Sequence, residues 1–153
     1  MIITRLAIEN FGVFRGKHVF NLTPVHSEQE SRPIILIGGM NGAGKTTIFD
    51  GIRLCLYGPN MDGFRLKKGA YEKYVSEQIH QILGSPLQLD TASIEIEFYY
   101  SHLGITEIYL VRRSWHRSQG NLDEILTIKK NGQALNELEI SQWQDFINEL
   151  IPP

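Results

Sequence analysis

The residues best suited to chemistry lie in one short run, Gly39-Met40-Asn41-Gly42-Ala43-Gly44-Lys45-Thr46, followed by Thr47. Glycines at 39, 42 and 44 permit backbone conformations that side chains obstruct, so successive N–H groups can turn inward around an anion. A helix starting at this point would aim its unpaired N–H groups and partial positive charge at the same anion. Lys45 adds a point charge for β- and γ-phosphates, and the Thr46 hydroxyl a ligand for Mg²⁺. The pattern is that of a P-loop, and ATP with Mg²⁺ is the pair it points to. Taking glycine at about 7% of residues, chance matches to such a pattern should occur in well under about one in a hundred chains this long. Gly39, Asn41, Gly42, Ala43, Gly44, Lys45, Thr46 and Thr47 are therefore the candidate nucleotide-binding residues. Lys45 is also the candidate catalytic residue, and Thr46 the candidate metal ligand.

The flanking segments have to position this loop. Ile34-Ile35-Leu36-Ile37 is apolar on both faces, which predicts a central strand leading into it. After Gly44, Ile48, Ile52 and Leu56 fall four apart and predict an amphipathic helix ended by Gly58-Pro59. Before the loop, Ile2 to Ile8 and His18 to Leu22 read as two strands joined by a turn at Asn10-Phe11-Gly12. Thr23 to Arg32 is polar and reads as an exposed loop. Tyr71, Val75, Gln78, Ile79 and Ile82 suggest a second helix, stopped by Gly84-Ser85-Pro86. The period then changes to two at Ile94, Ile96, Phe98 and Tyr100. Thr106 to Ser114 and Ile125 to Lys130 predict further strands, and Asn131-Gly132 is a hairpin signal because both residues tolerate positive φ. Strands in succession without helices between them predict an antiparallel sheet. Asn136 with Glu139 resembles a capping box before a last helix, striped by Ile140, Trp143, Ile147 and Leu150.

Bulk properties constrain the class. The chain has 153 residues, with 42% hydrophobic and 21% charged content, enough for one domain with a proper core. No apolar run approaches the roughly 18 residues that span a bilayer, and the first residues lack the pattern of a secretory signal. A single cysteine, Cys55, excludes an internal disulfide. A cytoplasmic protein without a membrane partner is the expectation. Net charge is −2, which neither favours nor excludes nucleic acid.

The Gly-x-Asn-Gly-x-Gly-Lys-Thr-Thr form of the loop resembles the ABC-type ATPase heads of SMC-like DNA-processing proteins. Asn10-Phe11-Gly12-Val13-Phe14-Arg15 before it is similar to the turn that joins the first two strands of those heads. Within this group the chain resembles the DndD family, the ATPases of bacterial DNA phosphorothioation (DNA sulfur modification) systems. The likeness is carried by Asn10 to Gly16, Gly38 to Thr47, Leu56-Tyr57-Gly58 and Phe146 to Pro152. It implies an α/β P-loop NTPase: residues 1–153 as the N-terminal lobe of an ABC-type head, with a mixed sheet around the P-loop helix and an antiparallel β lobe. It implies ATP hydrolysis in an intact protein, DNA and phosphorothioation-system subunits as partners, and a nucleotide-dependent head dimer. The Q-loop glutamine, signature motif, Walker B Asp-Glu pair and switch histidine of such heads are not recognisable in this sequence. The expectation is an N-terminal part, ending before the Q-loop and coiled coil, that binds ATP weakly and does not turn it over alone.

The resemblance also gives Arg15 a phosphate-contacting role, against the alternative of an exposed turn arginine. Phe14 lies near the adenine on one reading and in the core on the other. Arg65, with Lys67 and Lys68, corresponds to a loop that touches nucleotide or DNA in such heads; a solvated loop is the alternative. Arg112, Arg113, His116 and Arg117 around Trp115 form the most basic stretch, suited to a phosphate backbone or simply to a solvated strand end. The histidines at 18, 26, 80, 102 and 116 show no ligand-like spacing to one another or to Cys55, so no zinc site is expected. Cys55 reads as a small buried residue. A RecF- or SMC-like repair ATPase is a second reading. A small-molecule kinase is a third, disfavoured by the two strands ahead of the P-loop and the alternating strands after it. A nucleotide-gated interaction module without turnover is a fourth.

Overall fold

The structure is a computed structural model that describes residues 1–24, 26–27, 30–31, 35–61, 66–82, 84, 88–119 and 121–152. The chain begins with β1 (Ile2–Phe11) and β2 (Phe14–Asn21), then the two-residue strands β3 (His26–Ser27) and β4 (Glu30–Ser31), which pair with each other. The helix α1 (Lys45–Tyr57) runs into a 3₁₀ turn, Gly58–Asn60, and α2 (Lys68–Gln78) follows. Then come β5 (Thr91–His102), β6 (Ile105–Ser118), β7 (Asn121–Lys130), β8 (Gln133–Ala134), α3 (Glu137–Ser141) and α4 (Trp143–Leu150).

Six strands form one sheet in the order β2-β1-β5-β6-β7-β8, and every described pairing in it is antiparallel. Alternation decides which face is covered. Ala92, Ile94, Ile96 and Phe98 of β5 are buried, as are Tyr109, Val111, Arg113 and Trp115 of β6, and they pack with α1 in one core. The expected hairpin forms at Asn131-Gly132, with φ of 50° and 83°, the left-handed values a tight turn needs.

Several expectations are corrected. The mixed sheet with a strand at Ile34–Ile37 is not what the described residues form. Ile34 lies outside them, residues 35–40 belong to no strand, and Leu36 is 92% exposed. A strand apolar on both faces requires neighbours on both sides, and no described strand edge pairs with this one. On α1 the buried face includes Ile48, Gly51, Leu54 and Cys55, while Ile52 is only half-buried. Gly51 lets the helix approach the sheet, since a Cβ there would stand 3.3 Å from Ile94 Cδ1. The second helix stops at Gln78 rather than continuing to Ile82, because Ile79 forms a bridge with Phe11 instead. The last helix is broken at Gln142, although its capping box is present: Asn136 Oδ1 accepts from Glu139 N, and Asn136 N donates to Glu139 Oε2.

Candidate functional site at the start of helix α1

The loop before α1 is shaped by its glycines. Gly42 and Gly44 have φ of 83° and 92°, conformations that L side chains rarely adopt. Ala43 N donates to Met40 O at 3.1 Å, closing a turn, and Gly44 caps the helix by accepting from Ile48 N at 3.0 Å. The first turn of α1 holds no acidic residue, so nothing there offsets the positive end of the helix dipole. Val13, Asn41, Gly42, Gly44, Lys45, Thr46 and Thr47 line a cleft of about 240 Å³ at this end.

Lys45 does not extend into open space. Its Nζ donates to Gly39 O at 2.7 Å and Met40 O at 2.9 Å, folding the side chain along its own loop. Such a lysine has to exchange carbonyl partners for phosphate oxygens when it takes up an anion. Thr46 is exposed and Thr47 half-buried, and both line the cleft. An ammonium, two hydroxyls and unpaired helix N–H groups suit a polyphosphate with one divalent cation.

The second wall of the cleft is the β1–β2 turn, and it touches the loop closely. A Cβ on Gly12 would stand 2.4 Å from Thr47 Cγ2, and a Cβ on Gly44 would stand 2.7 Å from both Phe14 Cζ and Val13 Cγ2. Only glycine fits at either point. Phe14 packs against Phe20 and His18, at centroid distances of 5.7 and 5.2 Å. It is half-buried against the core and lies under Gly44.

The other candidates are placed variously. Arg15 is exposed at the start of β2 and does not line the cleft; its carbonyl accepts from the His18 ring at 2.9 Å. Arg65 lies outside the described residues, while Lys67 and Lys68 are both exposed. The basic stretch on β6 does not act as one surface. Arg113 is 5% exposed, ion-paired to Glu124, and donates through Nε to Cys55 O at 3.2 Å. Arg117 donates to Ser76 O and Leu89 O. Arg112 stands on the opposite face beside Glu9 and Ser93. Strand alternation separates these residues, so neither a continuous phosphate-contacting patch nor a wholly solvated strand end describes them.

Glu124 also accepts hydrogen bonds from Tyr71 Oη and Trp115 Nε1, the latter at 2.7 Å. This network joins the sheet to α2, and through Arg113 to the end of α1. Burial pushes the Tyr71 phenol above its ordinary range, and the Glu124 charge adds to the effect. Burial also pushes the Cys55 thiol up to about 12, against a smaller opposing effect from Arg113.

Sequence reasoning missed Val13 as a wall of the cleft and Arg113 as a buried ion. An apolar turn residue carries no phosphate signal, whereas the alternation of β6 (buried Val111 and Trp115 on either side of Arg113) did carry the second. Larger cavities exist: about 400 Å³ beside Asp50, Arg53 and Tyr74, and about 330 Å³ over Glu9, Arg112 and His116. Neither is lined by the glycine loop at the head of α1. Among the described residues no cluster of three or more His, Cys, Asp or Glu could hold a metal, and no helix is long and apolar enough to cross a membrane.

A glycine loop capping a helix with Lys and Thr in its first turn, on an antiparallel α/β sheet, is the arrangement of a P-loop nucleotide-binding domain. Residues 5–153 match the AAA domain family, and the chain belongs to it. It is 30% identical over 151 residues to the "DNA double-strand break repair Rad50 ATPase" of Thermoplasma acidophilum, covering 99% of this chain and 14% of that protein. It is 30% identical over 155 residues to the C subunit of the nuclease SbcCD of Treponema pallidum, covering 96% of this chain and 13% of that protein. The Rad50 ATPase of Methanococcus maripaludis is 27% identical over 150 residues, 98% of this chain and 12% of its own length. The chain thus spans about a seventh of the length of these curated relatives or less.

Proposed function

We infer that this chain is the ATP-binding N-terminal part of an SMC-like ATPase that couples ATP binding and hydrolysis to work on DNA. The observation that carries the inference is the cleft at the head of α1, where Gly42 and Gly44 shape the loop and Lys45, Thr46 and Thr47 face one space. In this reading the loop N–H groups and Lys45 hold the β- and γ-phosphates, with Lys45 offsetting charge on the transferred phosphoryl group. The Thr46 hydroxyl holds Mg²⁺, which neutralises charge on the same phosphates. Among the described residues that line the cleft there is no Asp, Glu, Gln or His to orient an attacking water. In this reading turnover therefore belongs to a dimer of heads, and the 153-residue chain, which supplies the phosphate cradle alone, binds MgATP weakly. Two features of the apolar surface favour a lobe of a larger head: Leu36 is 92% exposed before the P-loop, and Phe49 is 60% exposed on α1.

The test is binding of fluorescent MgATP by the purified chain. Lys45→Ala should abolish it, and Thr46→Ala should remove its dependence on Mg²⁺. Multiple-turnover phosphate release by this chain, lost in Lys45→Ala, would overturn the assignment of turnover to larger assemblies.

The finer reading is a phosphorothioation-system ATPase acting with that system's other subunits. It is supported by the likeness at Asn10 to Gly16 and Phe146 to Pro152. A repair ATPase is the second reading, favoured by the Rad50 and SbcCD relatives. Disrupting the gene separates them: loss of phosphorothioate linkages from genomic DNA supports the first, and sensitivity to double-strand breaks with linkages unchanged supports the second.

A further inference from the structure

The β1–β2 turn, one wall of the cleft, is itself held from behind. Three hydrogen bonds join it to the residues that end α2. Gly12 N donates to Gln78 O at 2.6 Å, His80 N donates to Asn10 O at 2.8 Å, and His80 Nδ1 lies 2.8 Å from Gly12 O. A carbonyl only accepts, so Nδ1 must carry the proton in this contact. Ile79 between them is fully buried and bridges Phe11, which is itself fully buried and stacked on Trp115 at 6.0 Å. Gln78-Ile79-His80 therefore forms a short rail along the back of the turn.

Among the described residues, the front of the turn is fixed by contact alone. Val13 is 52% exposed and lines the cleft, and its Cγ2 would be 2.7 Å from a Cβ on Gly44. Between the front and back contacts stands a single peptide group, the Gly12–Val13 amide. Its carbonyl takes the His80 hydrogen bond, so the orientation of that peptide plane fixes where the Val13 side chain starts. With φ of 56°, Gly12 has left-handed backbone freedom and does not hold that plane by itself.

We propose that His80 is a positioning residue for the nucleotide cleft: its Nδ1–H fixes the Gly12 carbonyl and so holds Val13 against the P-loop. His80 touches neither Lys45 nor Thr46 in this role; it acts through the turn. The proposal rests on the reading of the cleft as an ATP site, and it adds a residue that no P-loop pattern contains.

The test uses the whole chain and three substitutions. Asn places an N–H₂ close to the position of Nδ1, Gln places its own one bond further out, and Leu offers no donor. His80→Leu should weaken fluorescent MgATP binding about fivefold, the equivalent of one neutral hydrogen bond of about 1 kcal/mol. His80→Asn should restore binding to within about twofold and His80→Gln should not. In ¹⁵N–¹H spectra without nucleotide, the Val13 and Gly44 amide peaks should move in His80→Leu and return in His80→Asn. A purely structural role would lower the melting temperature of all three variants without this Asn/Gln distinction. If Asn and Gln behave alike in the spectra, or if Val13 and Gly44 do not move in His80→Leu, the proposal is wrong. If the spectra follow the prediction while neither the parent chain nor Lys45→Ala binds MgATP, positioning stands and the ATP reading of the cleft fails.

Discussion

Gly44→Ala measures how firmly the β1–β2 turn is seated on the P-loop. Two costs are expected, and the structure separates them. The first is conformational: Gly44 sits at φ 92° and Gly42 at φ 83°, and an alanine held in left-handed conformation costs about 1–2 kcal/mol at either position. The second is steric and belongs to Gly44 alone. Its Cβ would come within 2.7 Å of Phe14 Cζ and Val13 Cγ2, whereas a Cβ on Gly42 meets nothing within 4 Å. Phe14 is wedged against Phe20 and His18, so the contact is relieved by shifting packed groups, at about 1–3 kcal/mol. Gly44→Ala should therefore destabilise by about 2–5 kcal/mol and Gly42→Ala by about 1–2. Urea unfolding followed by tryptophan fluorescence reads the difference directly, through buried Trp115 and Trp143. The same seat can be probed from the other side. Gly12→Ala meets the Thr47 Cγ2 methyl at 2.4 Å, so Thr47→Ser, which deletes that methyl, should recover about 1 kcal/mol of its cost. Equal midpoints for Gly42→Ala and Gly44→Ala, together with no coupling between Gly12→Ala and Thr47→Ser, would refute the argument that the turn is held on the loop.

Two further predictions concern the far end of α1. Glu124→Leu should destabilise by about 3–5 kcal/mol, since it strands the buried Arg113 guanidinium and removes the acceptor of Tyr71 and Trp115. Adding Arg113→Met should return most of that loss in thermal denaturation, and a double variant no more stable than Glu124→Leu would count against the ion pair. Cys55 is fully buried with its thiol pushed up from 9.0 to about 12, so Ellman's reagent at pH 8 should not react until the chain unfolds. Because the unfolded chain ionises this thiol first, stability should fall as pH rises from 9.0 toward about 12; rapid labelling of the folded chain, or a flat profile matching that of Cys55→Ala, would contradict this.

The antiparallel half of the fold was legible because its signal is local. Ile94, Ile96 and Phe98 alternate, and Asn131-Gly132 has one favoured turn. The capping box at Asn136 was readable for the same reason. The run Ile34 to Ile37 misled because hydrophobicity reports a demand for neighbours, not their presence. Gln142 breaks the last helix with no proline or glycine to announce it. At the site, the glycines and Lys45 were legible because the backbone geometry needs those residue types. Val13 and His80 were not, because their roles depend on a turn meeting a loop some thirty residues away and a helix end nearly seventy residues away, and no local pattern encodes that meeting.

Helix α1 is gripped at its two ends in physically different ways. At its C-terminal end the last turn leaves carbonyls without helical partners, and side chains take them. Trp143 Nε1 donates to Leu56 O at 3.0 Å and Arg113 Nε to Cys55 O at 3.2 Å, while the Tyr57 hydroxyl donates to Ile151 O at 2.6 Å. Gly58 completes the grip, because a Cβ there would lie 2.7 Å from Arg113 Nη1. These bonds fix both the rotation and the axial position of the helix. At the N-terminal end the contacts are van der Waals contacts to the β1–β2 turn, which tolerate small sliding without breaking a hydrogen bond. Thirteen helical residues at about 1.5 Å each make a rod of about 20 Å between the two grips. A rod pinned at one end by hydrogen bonds and cradled at the other by packing yields at the cradle. Adjustment to an anion at Lys45 should therefore appear where the P-loop meets the β1–β2 turn, while Trp143, Arg113 and the hydrogen-bonded rail at Gln78 to His80 stay in place.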